Sequence, residues 1–534
     1  MRRYRLPLCF PLVIFLGCLF VLPSRGDVQS RDNAFEAQLF EQAEGFQPHN
    51  RLDELLLESL VTKDITPAPL CSDAVFVRRI YLDLIGTLPT VSEVRDFLDD
   101  TSPDKRNVLI DQLLARPEFV DYWTMKWCDV LRVKAEFPIN LWPNGALNYY
   151  NWIRNSVRTN KPYDQFAREL LTSDGSNFRN GAVNFFRAVP EKNAERIAEA
   201  VAQTFLGMRT AHWSEEKRTN LAVFFSRVAY KDTAEWKEEI VFWDRRPLEC
   251  DSVIFPDGTG GSVPPNTDPR RVFADWLTAP ENTAFSRCMA NRTWFWLFGY
   301  GLVHEPDDFR DTNPPVHPEL LDHLADEFVR SGYDFKHLLR YIVRSATYQQ
   351  SSLARGDAKI ALGMFAVYPI RRLEAEVLQD ALAQIFGNPL GFTNEVAEPF
   401  THIPPRYRSI LLHDASITSP FLEMFGRSTR DTGSTADRNN QVTDTQQLFL
   451  LNSNEINNWA RQLGQNQMNE WQNRPNAAAE IVEALWLLIL SRPASSDERQ
   501  IATDYIAPNG RLNNLRVQDL VWALINTDEF LCRR

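Results

Sequence analysis

The densest run of chemistry-bearing side chains is Glu305-Pro306-Asp307-Asp308-Phe309-Arg310, followed by Asn313-Pro314-Pro315-Val316-His317-Pro318-Glu319. Paired acids and an imidazole in a loop can hold a divalent cation or perform acid–base work, which makes Asp307, Asp308 and His317 the catalytic candidates. In the helix expected next, Glu319, His323 and Glu327 fall at i, i+4 and i+8 and share one face. Two carboxylates and an imidazole so spaced could ligate a metal. Leu320, Leu321, Leu324 and Phe328 form the opposing apolar stripe, which favours the acids as a solvated face. His317, just before that helix, reads either as a helix-start or loop anchor or as a reactive group.

Four further residues are candidates for gripping a ligand. Arg292 sits in an aromatic stretch, Asn291-Arg292-Thr293-Trp294-Phe295-Trp296, and could stack on Trp or pair with Asp307 or Asp308. Arg371, Arg372 and Glu374 open another helix, where bridges between helical turns compete with substrate binding. The chain carries no G-x-S-x-G, no H-E-x-x-H and no phosphate loop. Asp257-Gly258-Thr259-Gly260-Gly261 has turn chemistry without the strand-to-helix context of a nucleotide site. The 14 Trp and 34 Phe could offer sugar-stacking platforms, but at helical spacing they read as core.

The elements that must position these residues are mostly helices. Apolar residues recur at helical spacing in Asp73–Ile85, and Thr90 with Glu93 has the spacing of a capping box. Ser102-Pro103 predicts the start of a third helix, and Phe119–Val133 an aromatic one. Near residues 240–268 the pattern changes: Glu239–Trp243 and Ser252–Phe255 are short β-like runs around a glycine turn, which predicts a small hairpin at a domain junction. Helices resume from Asp268. Arg427–Thr443, polar and rich in Thr, Asp and Asn, reads as a long loop.

At 534 residues, the chain has room for about three domains. Its net charge of −12 argues against a nucleic-acid binder, which needs a basic face. Arg2, Arg3 and Arg5, an apolar run from Leu6 to Leu22, and small Ser24 and Gly26 read as a secretory signal cleaved before Asp27. Gly17-Cys18 leaves a lipid anchor at Cys18 as the alternative. Cleavage removes four arginines from the −12, leaving −16, and no later stretch approaches a membrane span. Cys71, Cys128, Cys250, Cys288 and Cys532 remain, with no C-x-x-C-H, so covalent c-type haem on this chain is excluded and no cofactor is expected. One or two disulfides are allowed in an oxidising compartment, and buried free thiols fit Cys128 and Cys288 equally well.

Phe76-Val77-Arg78-Arg79-Ile80-Tyr81-Leu82-Asp83-Leu84-Ile85-Gly86-Thr87-Leu88-Pro89-Thr90, with Leu113-Leu114-Ala115-Arg116-Pro117, resembles a planctomycete secreted cytochrome-associated domain. Ala274-Asp275-Trp276-Leu277-Thr278, Asn291-Arg292, Asp307-Asp308-Phe309, His317-Pro318-Glu319-Leu320-Leu321-Asp322, Arg371-Arg372-Leu373-Glu374-Ala375-Glu376 and Ser491-Arg492-Pro493 resemble the companion secreted domain. The resemblance implies an exported bacterial protein and no established activity. Many relatives carry a C-x-x-C-H-like segment after a Phe-Leu-Gly run; here Phe205-Leu206-Gly207 passes to Thr210-Ala211-His212-Trp213. Relatives also often carry cysteines where this chain has Thr432-Gly433-Ser434-Thr435-Ala436-Asp437. Any haem or metal chemistry those cysteines support is lost here.

The expectation is a mainly α fold of two helical domains with a small β-hairpin near the junction. Its divisions are a signal at 1–26, a leader at 27–62, a helical domain at 63–240, the hairpin at 241–267 and a second helical domain at 268–534. The expected function is a binding or scaffold module at the periplasm or cell surface, with other exported proteins or glycans as partners. The alternatives are a hydrolase acting on polysaccharide through the acidic and histidine site, and a partner of an electron-transfer cytochrome.

Overall fold

Side-chain caps fix where the helices start. In the computed structural model, which describes residues 39–42, 45–387, 391–394, 396, 400–403 and 407–534, helix α1 (Arg51–Thr62) is opened by the Asn50 side chain accepting from the Asp53 amide. Ser72 caps α2 (Asp73–Leu84), and Thr90 with Glu93 forms the expected capping box of α3 (Val91–Asp99). The next helix, α4 (Lys105–Ala115), begins later than Ser102-Pro103 suggests, and its N-cap Asp104 makes no side-chain cap bond. Pro117 stands at the first position of α5 (Pro117–Val130), where its missing N–H costs nothing. The expected signal at 1–26, with Cys18, lies outside the described residues.

The fold is mainly α. After α6 (Trp142–Arg158), short strands enter: β1 (Gly175–Ser176), β2 (Val228–Asp232) and β3 (Glu239–Trp243) form an antiparallel sheet in the order β1-β3-β2. The expected hairpin follows as β4 (Ser252–Ile254) and β5 (Gly260–Ser262), with Val253 opposite Gly261. Glu239–Trp243 thus pairs backwards into the first half instead of joining the hairpin.

In the second half, α7 (Thr283–Phe298) ends at Gly299, whose φ of +76° suits glycine. A Cβ there would lie 2.4 Å from the Arg371 side chain, so this glycine also admits that arginine. Helices α8 (Pro318–Arg330), α9 (Phe335–Val343) and α10 (Ala375–Phe386) follow. Strand β6 (Arg371–Arg372) pairs with β7 (Cys532–Arg533), placing Arg371 opposite Arg533 and bringing the chain end back to the middle of the molecule.

One apolar cluster runs through both halves. At its centre Trp123 and Trp127 of α5 meet Trp296 of α7 and Phe335 of α9 edge-to-face, at centroid distances of 5.0–6.5 Å. Such rings each account for about 3–5 kcal/mol on truncation. Helix α1 belongs to this core: Leu52, Leu56 and Leu60 are fully buried, and Asp53 accepts from the Ala346 and Thr347 amides. All five described cysteines are free thiols. Burial pushes Cys128 up to about 12 and Cys288 up to about 11.

Candidate functional site

From Phe119 to Val130 helix α5 is buried on every side, and it carries Tyr122, Lys126 and Asp129 on one face. A charge enclosed that way must find a partner. Lys126 pairs with Glu374 at the N-cap of α10. Asp129 accepts from Arg430 Nε (2.9 Å) and Arg438 Nε (2.6 Å). Arg438 also grips Glu376 with both Nη atoms (2.6 and 3.0 Å), and Arg427 lies within 3.3 Å of the same carboxylate. The planar guanidinium suits this two-sided role, because its fork can serve two carboxylates at once.

A second string of pairs begins at Asp83 of α2. It accepts from Tyr348 and Tyr368 (both 2.8 Å), from Arg371 (3.0 Å) and from Arg533 (3.1 Å). Arg533 reaches on to Tyr122 (3.3 Å) and Glu374 (3.5 Å), joining the two strings. Burial alone would raise the Glu374 carboxyl, but Lys126, Arg533 and Arg438 hold it far below the usual range. Burial brings Lys126 down to about 8 against the pull of Glu374.

Above this network opens a pocket of about 420 Å³, within the roughly 300–1,000 Å³ of small-molecule sites. Lys126, Arg371, Arg372, Arg438 and Arg533 line it, against the carboxylates Asp129, Glu305 and Glu374. In a chain of net charge −12, this is a local cationic excess. Arg372 stands out. It is buried, its Nη1 donates to Gln446, its Nε has no hydrogen-bond partner, and among the described residues no carboxylate pairs with it. Burial lowers its pKa. The rim is formed by Tyr300, half exposed, His304 and the amides of residues 439–441.

The residues singled out from sequence do not gather around this pocket as a group. Asp307 forms a buried pair with Arg292 (2.9 Å) and accepts from the Thr435 amide (2.8 Å) and hydroxyl (2.6 Å). Arg292 also donates to Thr204 O (2.7 Å), so the 203–207 and 432–437 stretches meet at one ion pair. Asp308 contacts Arg310 (3.2 Å) and lies 4.0 Å from His212 Nε2. His317 is elsewhere, between Ser59 Oγ (3.0 Å) and Met364 O (3.1 Å); burial lowers it to about 4, so it is a neutral imidazole with one donor and one acceptor role, both filled.

On α8, Glu319 is exposed, His323 bonds the Tyr341 hydroxyl (2.7 Å) and Glu327 pairs with His337 (2.8 Å). Among the described residues no group of three or more His, Cys, Asp or Glu side chains is arranged to hold a metal ion. Arg371, Arg372 and Glu374 do converge on the pocket. Lys126, Asp129, Arg430, Arg438 and Arg533 were not visible as site residues in the sequence. The signal that points to two of them is charge inside the aromatic-rich stretch at 119–133.

Residues 51–212 match the family described as PSCyt2, protein of unknown function (DUF1549), and residues 269–506 match PSD1, protein of unknown function (DUF1553). The chain belongs to the proteins that carry these two domains in this order. No curated protein and no solved structure matches it. The pocket draws Lys126 and Asp129 from the PSCyt2 part and Phe295, Arg372 and Arg438 from the PSD1 part. Arg533 comes from beyond residue 506. Neither family segment alone encloses it.

Proposed function

We propose that this PSCyt2–PSD1 chain is an exported binding module and that its ligand seat is the pocket between α5, β6 and the loop at 434–441. The observation that carries this reading is the contrast inside the pocket: its floor is a cross-linked set of ion pairs that cannot easily move, while its wall keeps a buried arginine with no carboxylate partner. Rigid, pre-organised polar groups around an open cavity suit recognition. Hydrolysis of a polysaccharide would ask for two carboxylates facing one bond, and the candidates Asp307, Asp308 and His317 are instead engaged in separate places. Export rests on the basic and apolar segment at 1–26. Among the described residues no helix is long and apolar enough to cross a membrane.

Two measurements test the reading. Mass spectrometry of the native protein should find a chain beginning at Asp27; a chain retaining residues 1–26 overturns export by cleavage. Ala436 is an exposed pocket residue, so Ala436→Trp should fill the cavity. Binding of glycan fragments by the mature protein should be lost in this variant while its melting temperature holds. Unchanged binding would move the ligand seat elsewhere.

A further inference from the structure

Most of the aromatic residues are core, but three of them meet at the surface. Trp142 opens α6, Trp236 sits in the turn between β2 and β3, and Phe400 comes from the second half of the chain. Their rings pack edge-to-face. The centroids of Trp142 and Trp236 are 4.7 Å apart, those of Trp142 and Phe400 5.5 Å, and those of Trp236 and Phe400 6.2 Å. Yet Trp236 is 64% exposed and Phe400 49%. None of the three lines the pocket. A folded chain gains by burying such rings, so a cluster that faces water needs another reason.

The backbone beneath the cluster is strained and tightly held. Asn140, Trp142 and Lys237 have left-handed φ values of +60°, +64° and +65°. A bulky side chain such as Trp rarely takes that region, and strain of this kind gathers at ligand clamps. Before α6, the amides of Asn140, Leu141 and Trp142 donate to the carbonyls of Glu136, Lys134 and Ala135. In the turn, the buried Glu238 carboxylate accepts from the Ser176 and Thr233 hydroxyls, and the buried Asn177 side chain donates to the Lys237 carbonyl (3.4 Å). Trp236 is thus presented on a fixed turn, which lowers the ordering cost of binding.

The surroundings narrow the occupant. Lys231, Asp232, Glu235 and Lys237 are all exposed along the turn, and their charges cancel. An ionic ligand gains little there, and an anionic lipid surface asks for a run of basic residues. Two part-open rings offer roughly 300 Å² at most, short of the roughly 1,000 Å² of a stable protein interface. A pyranose fits that scale: its C–H face stacks on an aromatic ring, and its hydroxyls meet polar groups at the edge. Exposed Asn140, Asn144 and Glu235, each one or two residues from a ring in sequence, are such groups. The Lys237 ammonium, 5.8 Å from the Trp142 centroid and 5.7 Å from that of Trp236, adds a donor.

We propose that Trp142, Trp236 and Phe400 form a second binding surface, a stacking platform for a neutral polysaccharide chain. It is open, so a polymer can run across it, whereas the pocket encloses a fragment.

The test is affinity electrophoresis of the mature full chain in gels carrying soluble neutral polysaccharides: mixed-linkage β-glucan, galactomannan and arabinoxylan. At least one should retard the protein. Trp236→Ala should raise the apparent Kd about tenfold at an unchanged melting temperature, Phe400→Ala should raise it less, and Trp236→Phe should restore most of the affinity. Leu515→Ala removes a comparably exposed apolar side chain from the helix at Asn514–Ile525 and should change nothing. Ala436→Trp, which fills the pocket, should leave the retardation intact, and fragment binding in the pocket should be the same in Trp236→Ala as in wild type, so the two sites fail separately. Retardation that is lost in Ala436→Trp, or that survives Trp236→Ala, overturns the platform. So does the absence of retardation by all three polymers. Co-sedimentation with zwitterionic vesicles, or a dimer in sedimentation velocity, that Trp236→Ala abolishes while no polymer retards the chain, overturns it in favour of a lipid surface or a second copy.

Discussion

The stretch at 305–327 and the loop at 427–443 make opposite use of charge. The first is dense in acids and histidines along the chain, yet the fold pulls it apart: Asp307 goes to Arg292, His317 to Ser59 and Met364, and Glu319 to solvent. The second is thin in obvious chemistry, yet it sends Arg427, Arg430 and Arg438 into the core to meet Asp129 and Glu376. Gly426, at φ +81°, opens that loop; a Cβ there would lie 1.9 Å from Asn439 O, so the two ends of the arginine-bearing segment touch only because residue 426 has no side chain. Proximity along the chain measures how many reactive groups a segment owns. Convergence measures how many a fold needs in one place, and long-range pairing across a buried helix decides it.

That contrast can be broken most forcefully at Arg438. Arg438→Met leaves two buried carboxylates short of a partner, and the expected loss is about 3–5 kcal/mol in denaturant unfolding. Adding Glu376→Gln should recover part of it, because one of the stranded charges is removed. A loss below about 1 kcal/mol would mean that the loop's arginines decorate the core and do not hold it.

His317 gives the next largest effect, through pH. Burial lowers it from 6.5 to about 4, so the unfolded chain binds a proton that the folded chain refuses between those values. Stability from this group is therefore full above about pH 6.5 and is lost as pH falls toward 4, by about 3 kcal/mol at most. His323 and His413 are lowered by burial as well, so their contributions also begin to be lost as pH falls below about 6.5. The readout is the difference between wild type and His317→Gln in unfolding free energy across that pH range. Parallel profiles for the two proteins would assign the acid loss to other groups.

Much of the scaffold was legible because its causes are local. The Thr90–Glu93 capping box, the break at Pro117 and the glycine turn between β4 and β5 each need only a few neighbouring residues. The acids of α8 were legible as a solvated face because Leu320, Leu321, Leu324 and Phe328 mark the buried one. Pairing of Arg292 with Asp307 was one of two options read from proximity, and the fold selects it. The pocket was not legible, since its contacts join residues far apart: Lys126 and Glu374 are separated by 248 positions, and Arg438 and Asp129 by 309. Nothing local tells a loop arginine which helix it will enter. The β6–β7 pairing that delivers Arg533 has the same character, because two residues are too short a strand to announce themselves.

Two smaller perturbations sharpen the comparison from opposite sides. Thr435 belongs to the loop and Glu319 to the acid-rich stretch. Thr435→Val keeps the amide that donates to Asp307 but removes the hydroxyl bond at 2.6 Å. A hydrogen bond to a charged carboxylate contributes about 1.5–3 kcal/mol, and the unfolding free energy should fall by that amount. Glu319→Gln, by contrast, alters an exposed side chain on the helix that drew attention first, and its cost should stay within about 0.5 kcal/mol. The order of these two values is the sensitive quantity. If Glu319→Gln cost more than Thr435→Val, the acidic face of α8 would be held by something that neither its solvent exposure nor its neighbours account for, and that face would become the place to look for a bound cation or partner.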